Sequence, residues 1–149
     1  MAKLCIICDV DGTLLDPTAH PDYKGKTTST HELPEYASWA ANAPTISVIV
    51  EAIQKFNKAG LGIIIITSRP IAWLDMTDEW LTKNNIPYDK IGMRPSGDTS
   101  PDSEVKQKIL DSIKSQGYDP IMAFDNDKDN AKMYRKNGLP VVKPKPGQY

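Results

Sequence analysis

Asp9 and Asp11 close the apolar run Leu4-Cys5-Ile6-Ile7-Cys8 and are followed by Gly12-Thr13. Two carboxylates two residues apart on a strand leaving its sheet point the same way, and Gly12 permits the tight turn after them. One such carboxylate can attack an electrophile or hold a metal while its neighbour handles a proton. Thr67 closes a second run, Leu61 to Ile66, where a hydroxyl can bond a phosphoryl oxygen. Asp125 closes a third, Ile121 to Phe124, and suits a magnesium ligand. Lys106 lies one step off the apolar stripe of Val105 and Ile109, so it can lean inward from the first turns of a helix.

Three other patterns imitate chemistry and fail on spacing. Asp125-Asn126-Asp127-Lys128-Asp129 matches the opening of a calcium loop, but the glycine and glutamate that loop needs are replaced by Asn130 and Lys136. Gly25-Lys26-Thr27 resembles the tail of a nucleotide-binding loop whose first glycine would fall on His20. Cys5 and Cys8 form C-x-x-C within a strand, where residues three apart face opposite sides and cannot chelate together. Both thiols read as core.

The elements that must position these groups alternate. After the first strand, residues 15–44 lose periodicity and are punctuated by Pro17, Pro21, Pro34 and Pro44, with a helical turn at Glu35 to Trp39. A loop-rich insertion of this length suits a lid or binding element. Ile46, Ile49, Val50, Ile53 and Phe56 then mark a helix stopped by Gly60, before the strand Leu61 to Ile66. A helix holding Trp73, Met76, Trp80 and Leu81 runs to Asn84-Asn85, and a short strand spans Tyr88 to Met93. Ser100 reads as the cap of a helix with Pro101 first inside it; Val105, Ile109, Leu110 and Ile113 face its core, and Gly117 stops it. The strand Ile121 to Phe124, a helix to about Lys136, and Pro140-Val141-Val142 complete the pattern. Strands alternating with helices predict a doubly wound α/β fold with a mainly parallel sheet, whose ligands gather at strand C-terminal ends.

The 149 residues predict one domain, 1–149, with residues 15–44 as the insertion and no large cap. Lys and Arg total 18 against 19 Asp and Glu, a balance that argues against a dedicated nucleic-acid binder while leaving room for a local basic patch. The apolar run Ile63 to Ile66 is far too short to span a bilayer, and the first residues lack a signal peptide's apolar region. A cytoplasmic location is the expectation. Trp73 and Trp80 fall at helical spacing and read as core, whereas Trp39 in the insertion is equally suited to stacking on a base.

The order of acid pair, hydroxyl, lysine and acid resembles the haloacid dehalogenase superfamily of phosphohydrolases. Its four motifs match Asp9-Val10-Asp11-Gly12-Thr13, then Thr67, Lys106 and Asp125. Thr67-Ser68-Arg69, Trp80-Leu81, Ile86-Pro87-Tyr88-Asp89, Met93-Arg94-Pro95-Ser96-Gly97-Asp98, Asp102-Ser103-Glu104-Val105-Lys106 and Pro146-Gly147-Gln148-Tyr149 resemble the phosphatase domain of bacteriophage-type polynucleotide kinase-phosphatases over essentially the whole chain.

That resemblance implies a magnesium-dependent phosphatase acting on 3′-phosphate ends of nucleic acid; action alone and action with a kinase partner not visible in this sequence both stay open. Asp9 would be the nucleophile and Asp11 the acid and base. Asp9, the Asp11 carbonyl and Asp125 would hold Mg2+, while Thr67 and Lys106 stabilise the phosphoryl oxygens. Ser68 and Arg69 would bind substrate, and Asp102 would orient Lys106. The pattern expects a second acid where Asn126 stands, and an arginine in the insertion where His20, Lys24 and Lys26 are the nearby substitutes. A mononucleotide or another small phosphate ester is the alternative substrate. A receiver-like phospho-accepting module, or an inactive binding module, is the alternative from a different class. A receiver places its phosphorylated aspartate after a middle strand, where this chain has Thr67.

Overall fold

Each aliphatic run becomes a strand of one sheet, and each amphipathic stretch a helix laid on it. The computed structural model describes residues 2–25 and 33–149. The strands are β1 (Lys3–Cys8), β2 (Gly62–Pro70), β3 (Lys90–Arg94), β4 (Tyr118–Phe124) and β5 (Val141–Val142). The helices are α1 (Tyr36–Ala40), α2 (Ser47–Lys58), α3 (Leu74–Lys83), α4 (Asp102–Ser115) and α5 (Lys128–Lys136). The sheet order is β3-β2-β1-β4-β5, and every pairing is parallel. This is the doubly wound α/β architecture that the alternating pattern predicts.

Period-two alternation along β1 divides the core. Ile6 and Cys8 belong to the cluster that α2 and α3 cover with Ile49, Val50, Ile53, Trp80 and Leu81. Cys5 and Ile7 belong to the opposite cluster, with Leu110 and Ile113 of α4 and Met133 and Tyr134 of α5. The two thiols are free, buried and on opposite faces, so they are core residues, as their spacing predicts. Gly92 lets α4 approach β3 closely, because a Cβ there would fall 2.2 Å from Ile109 Cγ2.

Several boundaries differ from the sequence reading. Trp73 precedes α3 in a 3-10 turn, Ile71–Trp73, instead of lying inside the helix. Pro101 occupies the N-cap of α4, so the helix begins at Asp102 and Ser100 is not its cap. The Ser100 carbonyl accepts from Arg94 Nη1 at 2.7 Å, which fixes the chain before the helix starts. β4 begins at Tyr118, earlier than Ile121, despite Pro120. Its register against β1 shifts between Cys5↔Pro120 and Ile6↔Met122, and this bulge accommodates the missing proline donor. Lys26 and the polar stretch Thr27 to Thr30 lie outside the described residues. Among the described residues no helix is long and apolar enough to cross a membrane.

Candidate active site

Register brings the strand-end residues together. Cys8 stands beside Ile65 of β2 and Phe124 of β4. The chain therefore delivers Asp9, Thr67 and Asp125 to one edge of the sheet, and Asp9 N–H donates to the Phe124 carbonyl at 3.0 Å. After Asp9 the backbone turns sharply, with Gly12 N–H on the Leu15 carbonyl at 2.9 Å. Gly12 has φ of 86°, and a Cβ there would fall 2.3 Å from the Asn126 amide. Only glycine fits that turn against that neighbour.

Lys106 reaches in from α4 and is only 1% exposed. Its ammonium lies 2.9 Å from Asp9 Oδ1 and 2.7 Å from Asp125 Oδ2, joining two adjacent strand ends. Burial pulls the lysine's pKa down, but Asp125 and Asp9 more than offset this and hold it well above its ordinary value. Asp9 is raised as well, which for an acid disfavours the charged form. Burial first, and then the Asp125 charge, push it up to about 7 against the relief that Lys106 provides. Asp125 Oδ1 accepts from Asp127 N–H at 2.9 Å and from Asn130 Nδ2 at 3.4 Å, so this carboxylate is fixed on both sides.

Asp11 faces a different set of partners. Arg69 Nε donates to its Oδ2 and Arg69 Nη2 to its Oδ1, each at 2.8 Å, a forked charge-assisted pair. The third guanidinium nitrogen donates to Thr77 Oγ1 at 3.0 Å, and the guanidinium lies 5.8 Å from the Trp73 ring centroid. Asp11 Oδ1 also accepts from the Tyr36 hydroxyl. Burial, followed by the Asp11 charge, pushes the Tyr36 pKa up, so the phenol remains a donor.

Thr67 Oγ1 is buried and accepts from Arg69 N–H at 3.1 Å, which leaves its hydroxyl hydrogen to donate elsewhere. Thr13 Oγ1 donates to Asp9 Oδ2 and accepts from Asn126 N–H, both at 3.2 Å. One side-chain atom of Asn126 is surrounded by acceptors: Asp9 Oδ2 and the Asp11 carbonyl at 3.0 Å, and Thr13 Oγ1 at 3.2 Å. That atom is therefore the amide nitrogen.

The predicted residues Asp9, Asp11, Thr67, Lys106 and Asp125 thus gather at one sheet edge. Two supporting roles change. Asp102 does not touch Lys106; it accepts from Arg94 Nη2 at 2.5 Å at the exposed start of α4. Lys106 is oriented instead by the two buried carboxylates it joins, whereas the Asp102 side chain is 55% exposed. Arg69 is committed to Asp11 and Thr77 and is 1% exposed, so it does not present a free guanidinium to a phosphate. Ser68 is partly exposed, and its carbonyl accepts from Arg94 Nε at 3.3 Å.

Among the basic residues of the insertion, His20 is buried. Its Nε2 meets the Pro34 carbonyl at 3.0 Å, and its Nδ1 accepts from Asp22 N–H at 3.1 Å, a structural role. Lys24 is exposed. Trp39 packs edge-on to His20 at 4.9 Å and tilted to Tyr36 at 5.6 Å, while Trp80 donates to the Ala43 carbonyl at 3.0 Å from within the core. Asp127 caps α5 by accepting from Asn130 N–H at 2.9 Å, and Asp129 lies in that helix's first turn. Asp127 and Asp129 are therefore spent on a helix start while Asp125 holds Lys106, which disposes of the calcium-loop pattern.

Sequence reasoning missed Tyr36, Asn130 and Arg94. Asn130 sits one residue beyond the Asp-x-Asp-x-Asp run, where a helix interior would favour an apolar side chain. Tyr36 lies in the aperiodic insertion and carries no local signal.

Fold and site together define a phosphatase domain of the haloacid dehalogenase type. The chain belongs to the family described as the polynucleotide kinase PNKP phosphatase domain, whose model matches residues 3–149. Among solved structures, it superposes on a chain of the Pnkp1/Rnl/Hen1 RNA repair complex with a TM-score of 0.80 and 22% identity, covering 99% of this chain and 44% of that one. This chain thus spans less than half the length of that neighbour. It also superposes on the class C acid phosphatase of Bacillus anthracis with tungstate bound (TM-score 0.67, 18% identity, 100% and 69% covered). A haloacid dehalogenase-like hydrolase from Streptococcus pneumoniae aligns at a TM-score of 0.61 and 14% identity, covering 95% and 84%. No curated protein matches the chain at a significant level.

Proposed function

We propose that this domain is a Mg2+-dependent phosphatase that works through an aspartyl-phosphate on Asp9 and removes 3′-phosphates from nucleic-acid ends. The observation that carries the reading is the Lys106 ammonium joining Asp9 and Asp125 beside Asp11, on the strand edge where Thr67 also stands. Family membership supports the substrate class, and its description supports a polynucleotide kinase as partner. The neighbour's place in an RNA repair complex agrees with a nucleic-acid substrate.

In the first step a carboxylate oxygen of Asp9 forms a bond to phosphorus as the bond to the leaving oxygen breaks, and Asp11 passes a proton to that oxygen. In the second step water attacks the phosphorus, its proton passes to Asp11, the bond to Asp9 breaks, and phosphate leaves. Thr67 and Lys106 face the charge on the equatorial oxygens throughout.

The residues fit magnesium. Asp9 Oδ2 and the Asp11 carbonyl both lie 3.0 Å from the Asn126 amide nitrogen and so face one small volume, and Asp125 is tied to Asp9 through Lys106. All three are hard oxygen donors. Bound Mg2+ supplies positive charge to the phosphoryl group and to the excess negative charge around Asp9.

The test is Mg2+-dependent phosphate release from a 3′-phosphorylated oligonucleotide beside 3′- and 5′-mononucleotides, with Asp9→Asn as the blank. Preference for the oligonucleotide supports the full reading. Preference for a mononucleotide keeps the chemistry and replaces the substrate. Release that persists in Asp9→Asn overturns the aspartyl-phosphate route.

A further inference from the structure

We infer that Tyr36 is a positioning residue for the acid–base step, its hydroxyl aligning the Asp11 carboxylate for proton transfer to the leaving oxygen; this rests on the role proposed above for Asp11. Tyr36 is 2% exposed and comes from α1, in the segment between β1 and α2, not from any strand that supplies the other site residues. Its hydroxyl donates to Asp11 Oδ1, the same oxygen that accepts from Arg69 Nη2 at 2.8 Å. Two donors from two separate elements therefore meet on one carboxylate oxygen.

The division of labour follows from geometry. The guanidinium fork of Arg69 fixes the plane of the Asp11 carboxylate, since its two parallel contacts are both 2.8 Å. A third donor from outside the fork restrains the carboxylate from a second direction, and proton transfer is sensitive to displacements of well under an ångström. The phenol is itself held from several directions. Its ring packs against Trp39 at 5.6 Å and His20 at 6.3 Å, and His20 is pinned to the Pro34 carbonyl at 3.0 Å. Tyr36 also shares a core cluster with Val10 and Leu14, which flank Asp11 in the chain. A tyrosine used only to fill this volume would not need its hydroxyl on the carboxylate, and phenylalanine would fill it equally.

Leaving-group dependence separates positioning from packing. Oxygen leaving from a nucleotide 3′ end needs a proton, whereas p-nitrophenolate leaves without one. The first turnover of the Mg2+-loaded full chain is followed on a 3′-phosphorylated oligonucleotide and on p-nitrophenyl phosphate. Tyr36→Phe, which removes one oxygen atom, is expected to slow the oligonucleotide burst about 10- to 100-fold, a fraction of what a general acid contributes. The p-nitrophenol burst should stay within about 2-fold, and the loss on the oligonucleotide should fall in kcat and not in KM. Equal slowing of both substrates, or no change in either, overturns the assignment. Trp39→Leu loosens the same packing and keeps the hydroxyl; if it reproduces the leaving-group selectivity, packing is the cause and the inference falls. Asp11→Asn distinguishes the two levels. If it shows the selectivity and Tyr36→Phe does not, only the Tyr36 role fails; if Asp11→Asn shows none, the Asp11 reading fails and this inference with it.

Discussion

Lys106 Nζ lies 2.7 Å from Asp125 Oδ2, and both side chains are essentially inaccessible to water. The same ammonium is 2.9 Å from Asp9, so one buried cation balances two buried carboxylates delivered by adjacent strands. A pairing of this kind stabilises little by itself, because desolvation offsets most of the attraction, but losing one member leaves uncompensated charge in the core. The arrangement is therefore a structural constraint as well as a chemical one.

Lys106→Met is expected to abolish phosphatase activity and to lower stability by about 3–5 kcal/mol in metal-free protein, the cost of stranding a buried charge. Adding Asp125→Asn should restore part of the stability and none of the activity. Urea unfolding in EDTA, alongside phosphate release, checks both.

Asp9 gives a pH dependence whose sign is fixed. Its folded-state pKa is raised from 3.8 to about 7, first by burial and then by Asp125, so the folded protein binds a proton that the unfolded chain has already lost between those values. The site's contribution is therefore fully present below about 4 and is lost as pH rises toward 7. Metal-free protein should lose stability across that window, Asp9→Asn should flatten the loss, and Mg2+ should stabilise the wild type more at pH 8 than at pH 5. Chemical denaturation at the two pH values would show it. A wild-type profile identical to that of Asp9→Asn would refute it.

Asn126 places its amide nitrogen among three acceptors, at 3.0 Å from Asp9 Oδ2 and the Asp11 carbonyl and 3.2 Å from Thr13 Oγ1. Asn126→Asp exchanges that donor for a charged acceptor. The expected result is a lower melting temperature in EDTA, by several degrees, and a larger rise on adding Mg2+ than the wild type shows. Thermal melts across a Mg2+ titration measure both changes.

Among the described residues, the Tyr134 hydroxyl and Asn130 Oδ1 are buried without a hydrogen-bond partner. Tyr134 is 0% exposed on α5, and its ring fills the core beside Leu110 and Met133. Tyr134→Phe keeps the ring and removes the unsatisfied oxygen, so it should be neutral or stabilising by about 1 kcal/mol. A loss of more than that in urea unfolding would mean the hydroxyl has a partner.

Whatever depends on local period is legible in the chain alone. Aliphatic runs ending in Asp9, Thr67 and Asp125 read as buried strands with polar tips, and the three-residue spacing of Cys5 and Cys8 puts the thiols on opposite faces of a strand. The stripe of Val105, Ile109, Leu110 and Ile113 places Lys106 close enough to the core to turn inward. Burial patterns repeat every two or 3.6 residues, so they are written along the chain.

Pairing between distant side chains is not written that way. The two carboxylates that hold Lys106 depend on β1 standing between β2 and β4 with Cys8 opposite Ile65 and Phe124, a register set by the whole sheet. Arg69 turns to Asp11, Asp102 turns to Arg94, and Tyr36 arrives from an aperiodic segment because each finds its partner only once the elements are packed. Local pattern fixes where a side chain can be buried; tertiary packing selects which charge or hydroxyl it meets there, because that energy exists only between groups far apart in the chain.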